Sequence, residues 1–301
     1  MSSVSFIVPV YNKSKYLEPV LMSLKNQKGT FEREFIFIDD GSTDDSLKIL
    51  KKITSNWKNC IIKTQKNKGS ANATNHGIKL ANMKYIKFLD ADDVLIDSAT
   101  NSLLYIIEKN DNISAVYGLQ KKTNDISDVK LNNKIDKKNF EIIRKPITLA
   151  MRNSMFNPSQ CLVKTAECRQ VGGCDERVKF SQEYSLTLRL SLIGNFARLN
   201  EYVTVLPYIA PGQISENKIY QIFRVSKALE LFLKDNNLEK KLMIKAQRRL
   251  TGRAWRFARR TKSASLFSKW FVLYVKGLLG IEKNIIKNCE LANSVYFEGK
   301  N

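Results

Sequence analysis

Residues 85–93 read YIKFLDADD, an apolar run that ends in three carboxylates within four positions, Asp90, Asp92 and Asp93. Like charges set side by side repel, and they cost stability unless something positive lies between them. As a bare motif this is either a solvated acidic turn or a divalent-cation site at the carboxyl end of a buried strand, where open α/β sheets bind ligands. The sequence on either side decides between the two.

Upstream, residues 4–10 (VSFIVPV) form a continuous apolar run rich in β-branched side chains, as a strand buried on both faces requires. Tyr11, Asn12, Lys13 and Ser14 break it, and Leu17, Val20, Leu21 and Leu24 then recur at helical spacing. A second strand, EFIFI over residues 34–38, is broken by Asp39, Asp40, Gly41 and Ser42. Ser42, with Asp45 three residues later, is expected to cap the following helix, whose core face is Leu47, Leu50 and Ile53. Residues 60–64 make a short third strand, Asn67-Lys68-Gly69 turns into a helix over 70–81, and the 85–89 strand follows. Alternating strands and helices with short links specify a parallel α/β sheet wound by right-handed crossovers.

Beyond Val116 the rhythm is lost. Residues 121–138 read as a polar irregular segment, 161–163 as a strand, and 185–192 as a helix with Leu186, Leu190 and Ile193 inward. From Ile219 the pattern is helical. The expected organisation is an α/β domain over 1–215, divided into halves at 1–110 and 111–215, followed by a basic helical extension over 216–301.

Composition narrows the function classes. With 301 residues and 43% hydrophobic side chains the chain can build a large core. Five cysteines, odd in number and without a CxxC pair, argue against a metal cluster or disulfide framework and for reduced thiols in a cytoplasm. The strand pattern begins at once, so no leader is expected, and the most apolar run, 270–281, is short and carries Lys276. The formal net charge of +21 is unevenly spread: residues 240–281 hold twelve Lys or Arg and no acid.

In a parallel sheet the strands' carboxyl ends share one edge. Here that edge gathers Tyr11 and Asn12, then Asp39 and Asp40, then Asp90 and Asp92. An aromatic can stack on a base, a carboxylate can accept from a base imide or a ribose hydroxyl, and another can hold a metal. Asp, Asn and Gly are ordinary turn residues, but three such clusters on one edge favour a nucleotide site.

The stretches SFIVPVYNKSKYLEPVLMSLKNQ, FIFIDDGSTDDS, NKGSANATNHGIKLA and YIKFLDADD resemble, in order and spacing, the inverting glycosyltransferases of family 2 with the GT-A fold. NPSQCLVKTAECRQVGGCDERVKFSQEYSLTLRL, residues 157–190, resembles the acceptor half of the same fold. The resemblance implies that Pro9, Val10, Tyr11 and Asn12 cradle base and ribose, that Asp39 accepts from the base, and that Asp40, Gly69, Asn75 and Ala91 belong to the donor site. Asp90 would be the first acid of the DxD motif, near ribose and diphosphate, and Asp92 the ligand of a Mg or Mn ion bridging the phosphates of a nucleotide-sugar, expected to be a UDP-sugar. In Ser181-Gln182-Glu183-Tyr184, just before an LxLRL-like helix, Glu183 holds the usual Asp position and would be the base.

Two departures stand out. Glu for Asp adds a methylene to the base, and Thr74 stands where many relatives carry an Arg, which weakens the inference of uracil. His76, the only histidine, is expected at the surface.

The tail interleaves its cations with Trp255, Phe257, Phe267, Trp270 and Phe271. It reads as a membrane-surface helix pair meeting anionic lipid, or as a solvated face packing its aromatics inward. Only charge supports nucleic acid, which is not an expected partner. The expected protein is thus a cytoplasmic, metal-dependent inverting glycosyltransferase, peripheral at the inner face of the cytoplasmic membrane. It would act on a glycan or lipid-linked acceptor in the synthesis of a lipopolysaccharide, capsule or other surface glycan. Its rivals are a non-catalytic nucleotide-sugar-binding module and a basic nucleic-acid-binding protein. A sugar-nucleotide-forming nucleotidyltransferase would need a Gly-rich phosphate loop, which residues 9–14 do not supply.

Overall fold

Side chains alternate across a strand, so a strand covered on both faces must be apolar at every position. In the computed structural model of the chain, Val4, Phe6, Val8 and Val10 enter one core while Ile7 enters a second on the opposite face. Phe35 and Phe37 of the next strand join the first core, and Ile36 and Ile38 the second. The structure describes residues 1–127, 129–132, 134–178, 182–208, 218–281 and 283–297, without the side chains of 182 and 218–220.

The strands are β1 Ser3–Val10, β2 Glu32–Asp39, β3 Cys60–Thr64, β4 Tyr85–Phe88, β5 Val94–Leu95, β6 Ile113–Thr123, β7 Phe140–Ile143, β8 Cys161–Lys164 and β9 Asn195–Pro207. The helices are α1 Leu17–Lys25, α2 Ser46–Thr54, α3 Ser70–Leu80, α4 Ala99–Glu108, α5 Ile147–Ala150, α6 Thr165–Gln170, α7 Gln182–Leu190, α8 Lys218–Asp235, α9 Lys240–Thr261, α10 Lys269–Leu278 and α11 Ile285–Ser294.

Among the described residues the strands form one nine-stranded sheet of order β3-β2-β1-β4-β8-β6-β9-β5, with β7 also on β9. β1 to β4 are parallel, as the strand–helix rhythm predicts. β8 then inserts antiparallel between β4 and β6, while β6 and β9 run parallel to each other. Leu17, Val20 and Leu21 of α1 and Leu103 and Ile106 of α4 fill the first core; Ala71 and Ile78 of α3 and Leu186 and Leu190 of α7 fill the second. α3 lies so close to β1 that a Cβ on Gly77 would stand 2.4 Å from Ile7 Cγ2.

Two local expectations are corrected. Ser42 does not cap α2: Asp45 holds the cap position, and the Ser42 hydroxyl accepts the Asn12 N–H at 3.1 Å instead. α7 begins before Ser185 and ends at Leu190, where the N–H groups of Ile193 and Gly194 turn back onto the Leu190 carbonyl. Ile193 is consequently exposed rather than on the inner face.

The chain divides into two compact units, Met1–Pro146 with Ser154–Gln213, and Ile147–Asn153 with Ile214–Asn301. The boundary expected between 215 and 216 lies outside the described residues. In the second unit Trp255 of α9 and Trp270 of α10 are buried, and Trp255 meets Phe271 at 5.1 Å between ring centroids. Phe257 packs on Tyr296 at 4.8 Å, so among the five aromatics named in the tail only Phe267 is fully in the open, at 96% exposure. Arg249 and Arg253 donate to the Arg152 carbonyl, which ties α9 to residues 147–153. The other ten of the twelve cations are exposed. No helix among the described residues is long and apolar enough to cross a membrane.

Candidate active site

The turn after β1 is built by Asn12, which takes a left-handed conformation with φ 50°. Its Oδ1 accepts the Thr43 N–H at 2.8 Å, and its own N–H goes to Ser42, so the loops after β1 and β2 are locked together. Lys13 follows, with its N–H on Ser46 Oγ at 2.8 Å. That anchorage aims its ammonium at the acidic run, where Nζ lies 2.6 Å from Asp92 Oδ2.

After β2 the two acids take different work. Asp40 is buried and fully engaged: Oδ1 accepts from Gln65 Nε2 at 2.8 Å and the Lys68 N–H at 2.9 Å, and Oδ2 accepts the Gly69 N–H at 2.8 Å. Gly69 has φ 90°, a conformation that costs glycine least, and it opens α3. Asp39 is buried too but among the described residues its carboxylate accepts only a long 3.4 Å bond from the Ser42 N–H, which leaves capacity for a ligand.

Asn75 is similarly consumed within the chain. Its Nδ2 donates to the Cys174 carbonyl at 2.9 Å and Glu176 Oε1 at 2.8 Å, and its Oδ1 accepts the Cys174 N–H at 2.8 Å. These bonds fasten α3 to the segment leading into α7. His76 holds Gln65 through Nδ1 at 2.8 Å and is half-buried.

The acidic run is supported from below by Lys87, a fully buried lysine of β4. Its Nζ donates to the carbonyls of Ser159 at 2.6 Å and Phe88 at 2.9 Å. Burial lowers the Lys87 pKa to about 8 against the pull of neighbouring anions. Ser159 in turn donates Oγ–H to Asp93 Oδ2 at 2.5 Å and accepts the Asp90 N–H at 3.0 Å. Asp93 is therefore a buried structural acid, and burial, then the charges of Asp90 and Asp92, push its pKa upward. Lys13, Lys87 and Ser159 are the residues that sequence reasoning missed. The signal was there for the lysines, since three crowded carboxylates call for cations, and Lys87 sits inside the quoted run itself.

A small cavity of about 10 Å³ lies at this edge, and Pro9, Thr74, Asp90, Phe156, Cys161 and Glu183 are among its walls. Of the expected site residues it brings together Pro9, Asp90 and Glu183. Val10 and Ala91 are not among its walls but buried in the first core, and Tyr11 is 46% exposed at the end of β1. Glu183 stands in the first turn of α7; Ser181 lies outside the described residues. Burial lifts the Glu183 carboxyl to about 7. Burial, then the negative charges of Asp92 and Glu183, lift Asp90 to about 7 as well.

The donor set of the acidic run is all oxygen, and a cation, the Lys13 ammonium, already rests on Asp92. Among the described residues no three His, Cys, Asp or Glu side chains converge as a protein-only metal cage. The set fits a hard divalent ion held by one or two carboxylates that takes its remaining oxygens from water and substrate phosphates.

The family model described as Glycosyl transferase family 2 matches residues 5–163. The chain is 32% identical over 199 residues to the chondroitin synthase of Escherichia coli, covering 66% of this chain and 28% of that protein. It is 34% identical over 118 residues to the poly-beta-1,6-N-acetyl-D-glucosamine synthase of Staphylococcus epidermidis, covering 39% of this chain and 28% of that protein. The match thus spans little more than a quarter of either relative. In structure it is similar to S. aureus TarS 1-349 in complex with UDP-GlcNAc, with TM-score 0.69 and 17% identity over 99% of this chain and 92% of that one. It is also similar to the mannosyltransferase PcManGT from Pyrobaculum calidifontis in complex with GDP-Man and Mn2+, with TM-score 0.60 and 16% identity over 99% of this chain and 88% of that one. At these identities the structural likeness speaks for the fold.

Proposed function

The chain belongs to glycosyl transferase family 2 and has the GT-A fold, and from that premise we propose that it transfers a sugar from a nucleotide-sugar to a hydroxyl acceptor by single displacement with inversion. One observation carries the reading: Asp90, at the carboxyl end of β4, and Glu183, on α7, face the same cavity. A base and a diphosphate-binding edge brought to one cavity are what an in-line displacement needs.

The nucleoside lies over the carboxyl ends of β1 and β2, where Asp39 has carboxylate capacity to spare for the base. The diphosphate faces Asp90 and Asp92. These two would hold a Mg or Mn ion, which when bound offsets the negative charge gathering on the leaving diphosphate. Glu183 takes the proton from the acceptor hydroxyl as that oxygen attacks the anomeric carbon; the bond from that carbon to the diphosphate oxygen breaks on the opposite face. A carboxyl lifted to about 7 is a stronger base than an ordinary glutamate, and its pKa lies near working pH.

The acceptor is a glycan, free or lipid-linked, and the pathway is surface-polysaccharide synthesis; the similarity to two polysaccharide synthases supports this. The protein works at the cytoplasmic face of the membrane, held to anionic lipid by its second unit. Support comes from the acid-free basic segment and from Leu266 and Phe267, 61% and 96% exposed between α9 and α10. The donor is tested by thermal shift with UDP, GDP, CDP, ADP and dTDP, with and without Mn. One base is expected to stabilise above the others, and more so with Mn. No stabilisation by any nucleotide would overturn the reading.

A further inference from the structure

Next to the central cavity the first unit carries a wider groove of about 400 Å³, walled by Leu119, Gln120, Met155, Phe156, Asn157 and Tyr202 among others. Its origin is an irregularity in the sheet. The pairing of β6 with β9 shifts register between Tyr117 and Leu119 and again between Leu119 and Gln120. Such bulges bend a strand and re-aim its side chains. Here the result is that Tyr202, opposite Leu119, is 49% exposed while Leu199 and Val203 on the same strand are fully buried.

The groove is polar without being charged. Asn157 Nδ2 donates to Gln120 Oε1 at 2.7 Å, and Gln160 is fixed by the Asn157 N–H at 2.8 Å and the Gly118 carbonyl at 2.7 Å. The Gln120 amide nitrogen takes no partner among the described residues. No Lys, Arg, Asp or Glu lines the groove, although the chain carries a net charge of +21. That lining excludes phosphate as the preferred ligand and favours a neutral, hydroxyl-rich one. Phe156 lines both the groove and the central cavity, and the adjoining Asn157 and Pro158 face one each.

We propose that this groove is the acceptor subsite for a neutral pyranose unit, with the ring of Tyr202 covering the sugar's apolar C–H face and the amides of Gln120 and Asn157 meeting its hydroxyls. The proposal rests on the glycosyl-transfer reading for the identity of the cavity beyond Phe156. A tyrosine ring is a rigid amphipathic surface that suits such a ligand, and a few placed amides give it orientation. A glycan seated there passes Phe156 to bring its terminal hydroxyl toward Glu183.

The test is saturation-transfer NMR on the full chain with chitobiose, lactose and mannobiose, alongside titration with UDP and GDP. At least one disaccharide is expected to receive saturation without displacing nucleotide. Tyr202→Ala is expected to weaken it about tenfold, Tyr202→Phe to preserve it, and Gln120→Ala to weaken it independently, with nucleotide binding unchanged in all three. Absence of transfer to every sugar, wild-type binding by both Tyr202→Ala and Gln120→Ala, or displacement of sugar by nucleotide overturns the assignment. Sugar binding that depends on Tyr202 in a protein that binds no nucleotide would leave the groove standing and remove the donor reading instead.

Discussion

Asp92 is the residue on which charge balance at the site turns, since its carboxylate is the one that meets Lys13 at 2.6 Å. Asp92→Ala is expected to keep the fold, because it relieves repulsion among three crowded acids. Transfer should fall by about a hundredfold or more with loss of the charge proposed to hold a metal; full activity in that variant, or in wild type with excess chelator, contradicts metal dependence. Asp90 and Glu183 give a second prediction. Both carboxyls titrate near 7 in the folded chain, above their unfolded values of about 4. Between those limits the native state binds more protons, so these groups lower stability as pH rises from about 4 to 7. Melting temperature is expected to fall between pH about 5.5 and 7.5, and Glu183→Gln and Asp90→Asn each to flatten that slope; an unchanged slope in both contradicts the lifted carboxyls. That Asp39, Asp40, Asp90 and Asp92 gather at one sheet edge was legible in the sequence, because three apolar strands of a parallel rhythm end in such clusters. The role of Asp40 and Asn75 was not. Both are polar residues at the expected edge, and only the fold reveals that their hydrogen-bonding groups are spent on Gly69 and Cys174.

Among the elements, α3 sets the spacing of the site, since it carries Thr74 into the cavity wall and Asn75 into the tie with Cys174. Its closeness to β1 depends on Gly77, where a methyl group would meet Ile7 at 2.4 Å. Gly77→Ala gains up to about 1 kcal/mol of helix propensity but forces overpacking of about 1–3 kcal/mol. A net loss is expected, read as a lower urea midpoint at unchanged m-value; a stabilised variant would show that α3 yields easily. The strand–helix alternation of the first four strands could be read from period and punctuation alone. The antiparallel β8 and the bulged β6–β9 pair could not, because register and strand order depend on partners distant in sequence. The displaced start of α2 has a local cause: Ser42 had two possible uses, and the loop bond to Asn12 took it.

For the whole molecule, the second unit spends Trp255 and Trp270 on its own packing, which the interleaved sequence did not distinguish from aromatics meant for lipid. What it leaves outside is charge together with apolar side chains, among them Leu266 and Phe267 at the turn between α9 and α10 and Leu279 just beyond α10. Cosedimentation with phosphatidylglycerol vesicles is expected, lost as salt shortens the screening length below about 8 Å, and weakened by Phe267→Ser. Equal binding to neutral vesicles, or none to either, contradicts membrane docking. The most direct measurement of the proposed chemistry needs no acceptor at all: slow hydrolysis of the donor, with water in the acceptor's place, followed by NMR before the freed sugar mutarotates. The first-formed sugar is expected to have the anomeric configuration opposite to the donor's, and Glu183→Gln to bind donor normally while releasing sugar about 10²–10⁴-fold more slowly. Retained configuration, or release by Glu183→Gln at the wild-type rate, contradicts single displacement with Glu183 as its base.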